Sequence, residues 1–316
     1  MAVTTPPAMG LLDRETRGSK KSSSIWRDTL GNLLRQRNAV VGGVILVFFV
    51  LVAVFADVVA THDPDAILIG VEEGAKKHAA PCVHALGCPA AKPEHYFGID
   101  GNVRDVYSRV VHGTRVSLRI GFLTVGFAIV IGGIIGALAG YAGGKLDNLL
   151  MRFMDVLLAF PALLLAIAIV TVLGSGLLNA QLAIGIVAIP VYARIMRGSV
   201  LSIRERDFVT ASRALGESSA GLLVRRIIPN ALTPLIVTGT LGIAAAVLDV
   251  AALSFLGLGA QPPQSEWGSM IGLANNTIFA APHLVLFPGM ALALTVLAFN
   301  LLGDGLRDAL DPRLNR

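Results

Sequence analysis

Six blocks of apolar residues, each near the length of about 20 residues that crosses a bilayer core, constrain this chain more than any other feature. They are Val40–Ala60, Ser117–Tyr141, Val156–Leu173, Leu178–Ala193, Ala231–Leu258 and His283–Leu302. Lipid offers no partner to a free backbone N–H or C=O, so each block is expected to be a helix. The composition agrees: at 54% hydrophobic and 15% charged, 316 residues carry too little charge to cover a soluble protein. The expected fold class is all-α, a polytopic membrane protein with six transmembrane helices. The first block is too long, and too far from the N-terminus, for a cleaved signal peptide and is read as a retained span.

Basic residues orient the bundle, because short loops rich in Lys and Arg stay in the cytoplasm. The N-terminal segment holds Arg14, Arg17, Lys20, Lys21, Arg27, Arg35 and Arg37, and the segment after the fourth block holds Arg194, Arg197, Arg204, Arg206, Arg213, Arg225 and Arg226. Residues 259–282 have no Lys or Arg, and the long loop 61–116 has six against seven acids. Both termini, and the stretch after the fourth block, are therefore expected in the cytoplasm. The expected divisions are a cytoplasmic tail 1–37, a first transmembrane helix 38–60, an extracytoplasmic loop 61–116, a core 117–304 and a cytoplasmic tail 305–316. Residues 1–24 are polar and rich in Ser, Pro and Thr, which predicts disorder. Lys20 and Lys21 either touch anionic lipid or are simply solvated. The net charge of +5 follows from this bias and calls for no nucleic acid.

One cytoplasmic stretch is too patterned for a connector: "RERDFVTASRALGESSAGLLVRRIIPNALTPLIV", residues 204–237. Asp207–Leu215 reads as a short helix with Phe208, Ala211 or Ser212, and Leu215 on one face. Gly216 ends it, as glycine does at a helix C-terminus. Ser218 or Ser219 caps a second short helix, and Pro229 either stops that helix or starts the next span at its first position. An amphipathic helix lying on the membrane would explain the apolar face but not the glycine elbow.

That stretch resembles the cytoplasmic coupling motif of ABC-importer permeases: Glu-Ala-Ala, three residues, Gly, and later an Ile/Leu-Pro ending. Here Thr210, Ala211 and Ser212 stand for the first three, then Gly216, then Ile227, Ile228 and Pro229. "YFGIDGNVRDVYSRVVHGTRVSLRIG" (96–121), "LSFLGLGAQPPQSEWGSMI" (253–271) and "NLLGDGLRDALDPRLNR" (300–316) are similar to the C-type subunit of the dipeptide/oligopeptide/nickel permease family. Val103 stands where that family usually has Gly. The resemblance spans nearly all of 35–316. It implies a type I ABC-importer permease fold, and it implies that coupling helices at 204–229 engage an ATPase through Asp207, Phe208, Thr210, Ala211, Leu215, Gly216, Glu217, Ser218 and Pro229. It also implies a homologous B-type permease, two cytoplasmic ABC ATPases that bind ATP and Mg²⁺, and an extracytoplasmic peptide-binding protein. Alternating access, driven by ATP binding at those partners, is the implied mechanism. The chain itself is expected to be no enzyme and to bind no cofactor.

Other signals are weaker. "AGYAGGKL" (139–146) misses the phosphate-cradling loop, with Ala139 and Leu146 where Gly and Ser/Thr belong. Gly132, Gly136, Gly140 and Gly144 mark one helix face, for packing within the chain or against a partner permease. Ionisable residues inside spans are functional candidates by default. Arg119, Asp57 and Asp304 sit near span ends; Asp249 is the acid well inside one, lining a wet pathway or meeting a polar group on a neighbouring helix. Cys82 and Cys88 lie in the loop placed outside, where a disulfide persists; a metal site formed by this segment with His78 and His95 is the alternative, as are free thiols. Substitution at the matching depth on the other side from Gly216, such as Gly268→Val, is expected to leave ATPase attachment intact. The competing function is a self-sufficient, ion-coupled secondary transporter, which would show internal repeats and several buried acids. A single buried acid and no visible repeat favour the importer.

Overall fold

The computed structural model describes residues 31, 33, 34 and 36–310. The expectations for the tail 1–24, for Lys20 and Lys21, and for the chain beyond residue 310 lie outside these residues. The described chain is helical with no strand, and five helices are long and apolar enough to cross a membrane. In chain order the elements are α1 (Arg37–Val54), α2 (Ala56–Val59), α3 (Val106–Ala142), α4 (Gly144–Leu158), α5 (Ala162–Leu173), α6 (Leu177–Arg204), α7 (Asp207–Ala214), α8 (Ser219–Phe255), α9 (Trp267–Ala274) and α10 (His283–Leu310).

Contacts between helix ends fix the direction of each pass. Arg204, at the C-terminus of α6, donates to the carbonyls of Gly140 and Tyr141 at the C-terminus of α3, so α3 and α6 run parallel. Gly176 N–H donates to Leu258 O, so the start of α6 lies beside the end of α8. Gly42 and Ala39 on α1 meet Ala298 and Gly305 on α10. The bundle therefore has an arginine-rich end and a loop end, and the chain passes between them six times. The third pass is the bent pair α4 and α5, and the described chain starts and finishes at the arginine-rich end.

Three expectations from the apolar blocks need correction. The third block is not one straight helix: α4 and α5 meet at 91°. Pro161 lacks an N–H and crowds Phe160 out of the helical region, so the chain breaks at Ala159–Pro161 although the run stays apolar. The second block begins eleven residues early, because Asp105 caps α3 by accepting from Ser108 N–H at 2.7 Å. Part of the segment read as loop is thus helix. The fourth block runs on to Arg204. Pro229, by contrast, sits where one of its two sequence readings put it, in the first turn of the α-helical segment Ile228–Phe255. A π-helical stretch, Leu222–Ile227, directly precedes that segment and is continuous with it in α8.

Close backbone approach holds the centre together. A Cβ on Gly132 would lie 2.7 Å from Ile189 O, and one on Gly140 would lie 2.9 Å from Arg197 O; one on Gly136 would strike Ala193 O. Three of the four glycines in the stripe therefore seat α3 directly on α6. Gly144 is not among them: it begins α4 with φ +59° and open space around it. Gly268 is packed as tightly at the loop end: its added Cβ would lie 2.5 Å from Ala251 Cα.

Candidate functional site

At the arginine-rich end the chain leaves α6, forms α7, turns, and enters α8. The turn is built from backbone hydrogen bonds. Gly216 N–H donates to Arg213 O at 3.0 Å and Glu217 N–H to Ser212 O at 3.2 Å, the pairing that closes a helix when the intervening residue is left-handed. Gly216 supplies that conformation at φ +84°. Ser218 then caps α8 by accepting from Gly221 N–H at 3.2 Å, and Glu217 pairs with Arg226 at 3.1 Å across the turn.

The knob is held from behind and open in front. Val209 is fully buried in the same apolar cluster as Ile203, Leu222 and Ile227. Phe208 and Leu215 are exposed, Leu215 at 88%, and Thr210, Ala211, Gly216, Ser218 and Pro229 are exposed as well. Asp207 occupies the first turn of α7, where a negative charge suits the helix dipole. The apolar face read from the sequence is thus the outward face, and the anchoring residue is Val209, which that reading passed over.

Three arginines placed in a loop by sequence reasoning are instead the last turns of α6. Arg197 holds Asp147 through two bonds of 2.5 and 2.6 Å, Arg194 reaches Asp155 at 2.6 Å, and Arg204 closes the end of α3. Their spacing of three and seven residues, which places them on one helical face, was the available signal. These contacts lock α4 and α3 to the helix that carries the knob.

Above this end, α3, the end of α4, α5, α6 and α8 line an open cleft of about 390 Å³. Its walls are apolar, with Thr124, Thr238, Tyr192 and Asp249 as polar exceptions. Asp249 is half-buried, and no described side chain pairs with its carboxylate. Asp57 lies elsewhere, bound to Arg115 at 2.8 Å and His112 at 3.2 Å.

At the loop end, Cys82 and Cys88 are joined as a disulfide with Cα atoms 5.4 Å apart. Cys82 and His95 exchange two backbone hydrogen bonds of 2.9 Å, which pins the ring to the strand-like segment before α3. With both thiols paired, the metal site imagined around them has no thiolate to offer, and His78 lies apart, next to Gly101. Burial works against a charged His95, but Asp105 and Glu72 outweigh it and raise its pKa. Burial likewise works against ionised Asp105, and His95 with the Ser108 donor outweighs it and lowers that pKa.

A six-pass bundle with an exposed, back-anchored knob and a cleft above it can now be set beside known proteins. Residues 132–316 match the family model described as the binding-protein-dependent transport system inner membrane component. The chain belongs to this permease family. Residues 24–81 of the permease match the N-terminal transmembrane domain of oligopeptide transport permease C. It is 43% identical over 291 residues to a dipeptide transport system permease protein of Alkalihalophilus pseudofirmus, covering 92% of this chain and 91% of the relative. It is 39% identical over 289 residues to a glutathione transport system permease protein of Pectobacterium atrosepticum, covering 92% and 91%. In fold it is similar to the inward-facing MetNI methionine ABC transporter, with a TM-score of 0.53 at 21% identity over 64% of this chain and 97% of that one. The permease is thus a transport subunit of an ABC importer with the type I fold, not an enzyme, and the secondary-transporter reading falls.

Proposed function

We propose that this permease forms half of the translocation pathway of an ATP-driven importer of di- and oligopeptides. A homologous second permease completes the pathway, two ABC ATPases holding ATP and Mg²⁺ seat the knobs, and an extracytoplasmic binding protein delivers the peptide. The chain lies in the bacterial inner membrane with both termini in the cytoplasm, as the arginine bias requires. One observation carries this reading: a helix–glycine–helix knob whose apolar and small residues face outward while Val209 anchors it, at the end of the helices that wall the cleft. The Asp207–Ser218 face meets an ATPase, and displacement of the knob tilts α6 and α8 and opens the cleft by turns to either side.

The substrate class draws on the relatives, whose names specify dipeptide and glutathione. The cleft fits a peptide: its apolar walls suit varied side chains, and Asp249 stands free to meet an α-ammonium group. The test is uptake of a labelled dipeptide by cells that lack their own peptide permeases and carry this chain with its partner subunits. Dipeptide uptake is expected, and Asp249→Asn should raise KM for it while leaving the ATPases attached. N-acetylated dipeptide, with no ammonium, should be taken up poorly by both. Absence of any peptide uptake in a correctly assembled complex would sink the substrate assignment; an unchanged KM would remove Asp249 from it.

A further inference from the structure

The loop before α3 gathers three ligand-bearing side chains from distant points in the sequence. His62 follows α2, Glu72 sits on a turn, and His95 lies beside the disulfide ring. One ligand atom from each lies within 4.8 Å of the other two. Nε2 of both histidines faces Glu72 Oε2, at 3.2 Å for His95 and 3.9 Å for His62.

Two features set this cluster apart from an ordinary polar loop. First, His95 is buried, with 2% exposure, and its Nε2 and Glu72 Oε2 face each other at 3.2 Å with no other hydrogen-bond partner for either atom. Second, the far nitrogen of each ring is already held. His95 Nδ1 bonds to Asp105 at 2.8 Å, and His62 Nδ1 bonds to Thr61 Oγ1 at 2.9 Å. At His95 the Asp105 carboxylate accepts from Nδ1–H, so the neutral ring presents its Nε2 lone pair inward; His62 does the same in the tautomer whose Nδ1–H is donated to Thr61. A carboxylate or hydroxyl behind each histidine is the arrangement that orients imidazoles toward a metal ion.

We propose that His62, Glu72 and His95 bind a divalent first-row transition metal ion, for which Zn²⁺ is the natural probe. Two imidazoles and a carboxylate suit such an ion; Mg²⁺ and Ca²⁺ prefer all-oxygen shells. Bonds of about 2.0–2.1 Å at tetrahedral angles place ligand atoms roughly 3.3 Å apart, which the His95–Glu72 pair already meets. The closing movement falls to His62, whose side chain is partly exposed. Three protein ligands leave a fourth position for water. The ion would staple the chain just beyond α2 to the cap of α3, because Asp105 both orients His95 and caps that helix.

The experiment uses the full-length chain in detergent, purified through a tag without histidine and stripped with a chelator. Zn²⁺ is titrated against a competing chromophoric chelator, and Co²⁺ is added separately for its ligand-field spectrum. One equivalent of Zn²⁺ is expected, with a Co²⁺ spectrum of low coordination number and a rise in unfolding temperature on loading. His62→Ala and Glu72→Gln should each weaken binding by about tenfold or more and abolish the thermal gain, while His78→Ala should change neither. The wild-type stoichiometry and spectrum decide the matter even where a variant folds poorly. Failure of the stripped chain to bind Zn²⁺, or full affinity in both variants, would overturn the site. His95 would then be an imidazolium held between two carboxylates.

Discussion

Gly216→Val isolates the coupling knob, and the structure supplies its control. Gly216 has φ +84° and Gly257 has φ +77°, and each closes a helix by the same pair of backbone bonds, Gly257 N–H to Ser254 O and Leu258 N–H to Leu253 O. An added Cβ meets nothing within 4 Å at either position. The intrinsic penalty is therefore backbone strain alone, about 1–2 kcal/mol at each site, with a similar surcharge for a β-branched residue. Both variants should lose equal thermal stability in detergent. Their positions differ: Gly216 is on the knob, Gly257 at the loop end. If docking selects the strained conformation, a penalty of one or two kcal/mol weakens ATPase attachment by about 5–30-fold, before any steric clash with the partner. Dipeptide uptake and ATPase co-purification should collapse for Gly216→Val and persist for Gly257→Val. Equal behaviour of the two in uptake would refute the assignment of the knob. Gly268→Val is unsuitable as the control, because it drives a side chain into Ala251.

Gly136→Ala should strip the folded chain from membranes, since its Cβ strikes Ala193 O, whereas Gly126→Ala, with open space around it, should express normally; fluorescence-detected size exclusion reads both. Asp147→Asn loses a charged pair of two hydrogen bonds to Arg197, and an unfolding curve should show a loss of about 1.5–3 kcal/mol. Cysteines placed at Ser22 and Asn315 should resist impermeant thiol reagents in intact cells; labelling of either would refute a topology with both ends inside.

Hydropathy made the bundle legible because each pass needs a run of apolar residues, and those runs survive in the sequence. The same property hid the break at Phe160–Pro161, where the chain turns through a right angle without becoming polar. The polar start of α3 and end of α6 were taken for loop because charge was read as a sign of solvent. Arg194, Arg197 and Arg204 are in fact paired across helices. The knob was legible through Gly216, whose conformation follows from its neighbours along the chain. Val209 was not, because the pattern of Phe208, Ala211 and Leu215 looked like the buried side. Val103 shows a different limit: its φ of +57° explains why glycine is the usual residue in similar sequences. A strain of about 1–2 kcal/mol there is offset by burying the side chain against Leu68 and Ile99, a gain of about 1.5–3 kcal/mol. His62, Glu72 and His95 converge only through the folded loop, so no local spacing announces them.

The continuity of α8 has a mechanical consequence. Its first residues belong to the knob and Asp249 to the cleft wall, with no loop between them. Thirty residues at 1.5 Å each make a lever arm of about 45 Å. A swing of about 5° about the knob end would carry Asp249 sideways by about 4 Å, more than the diameter of a water molecule. A small rotation at the base is thereby amplified into a displacement large enough to admit or shut out a solute.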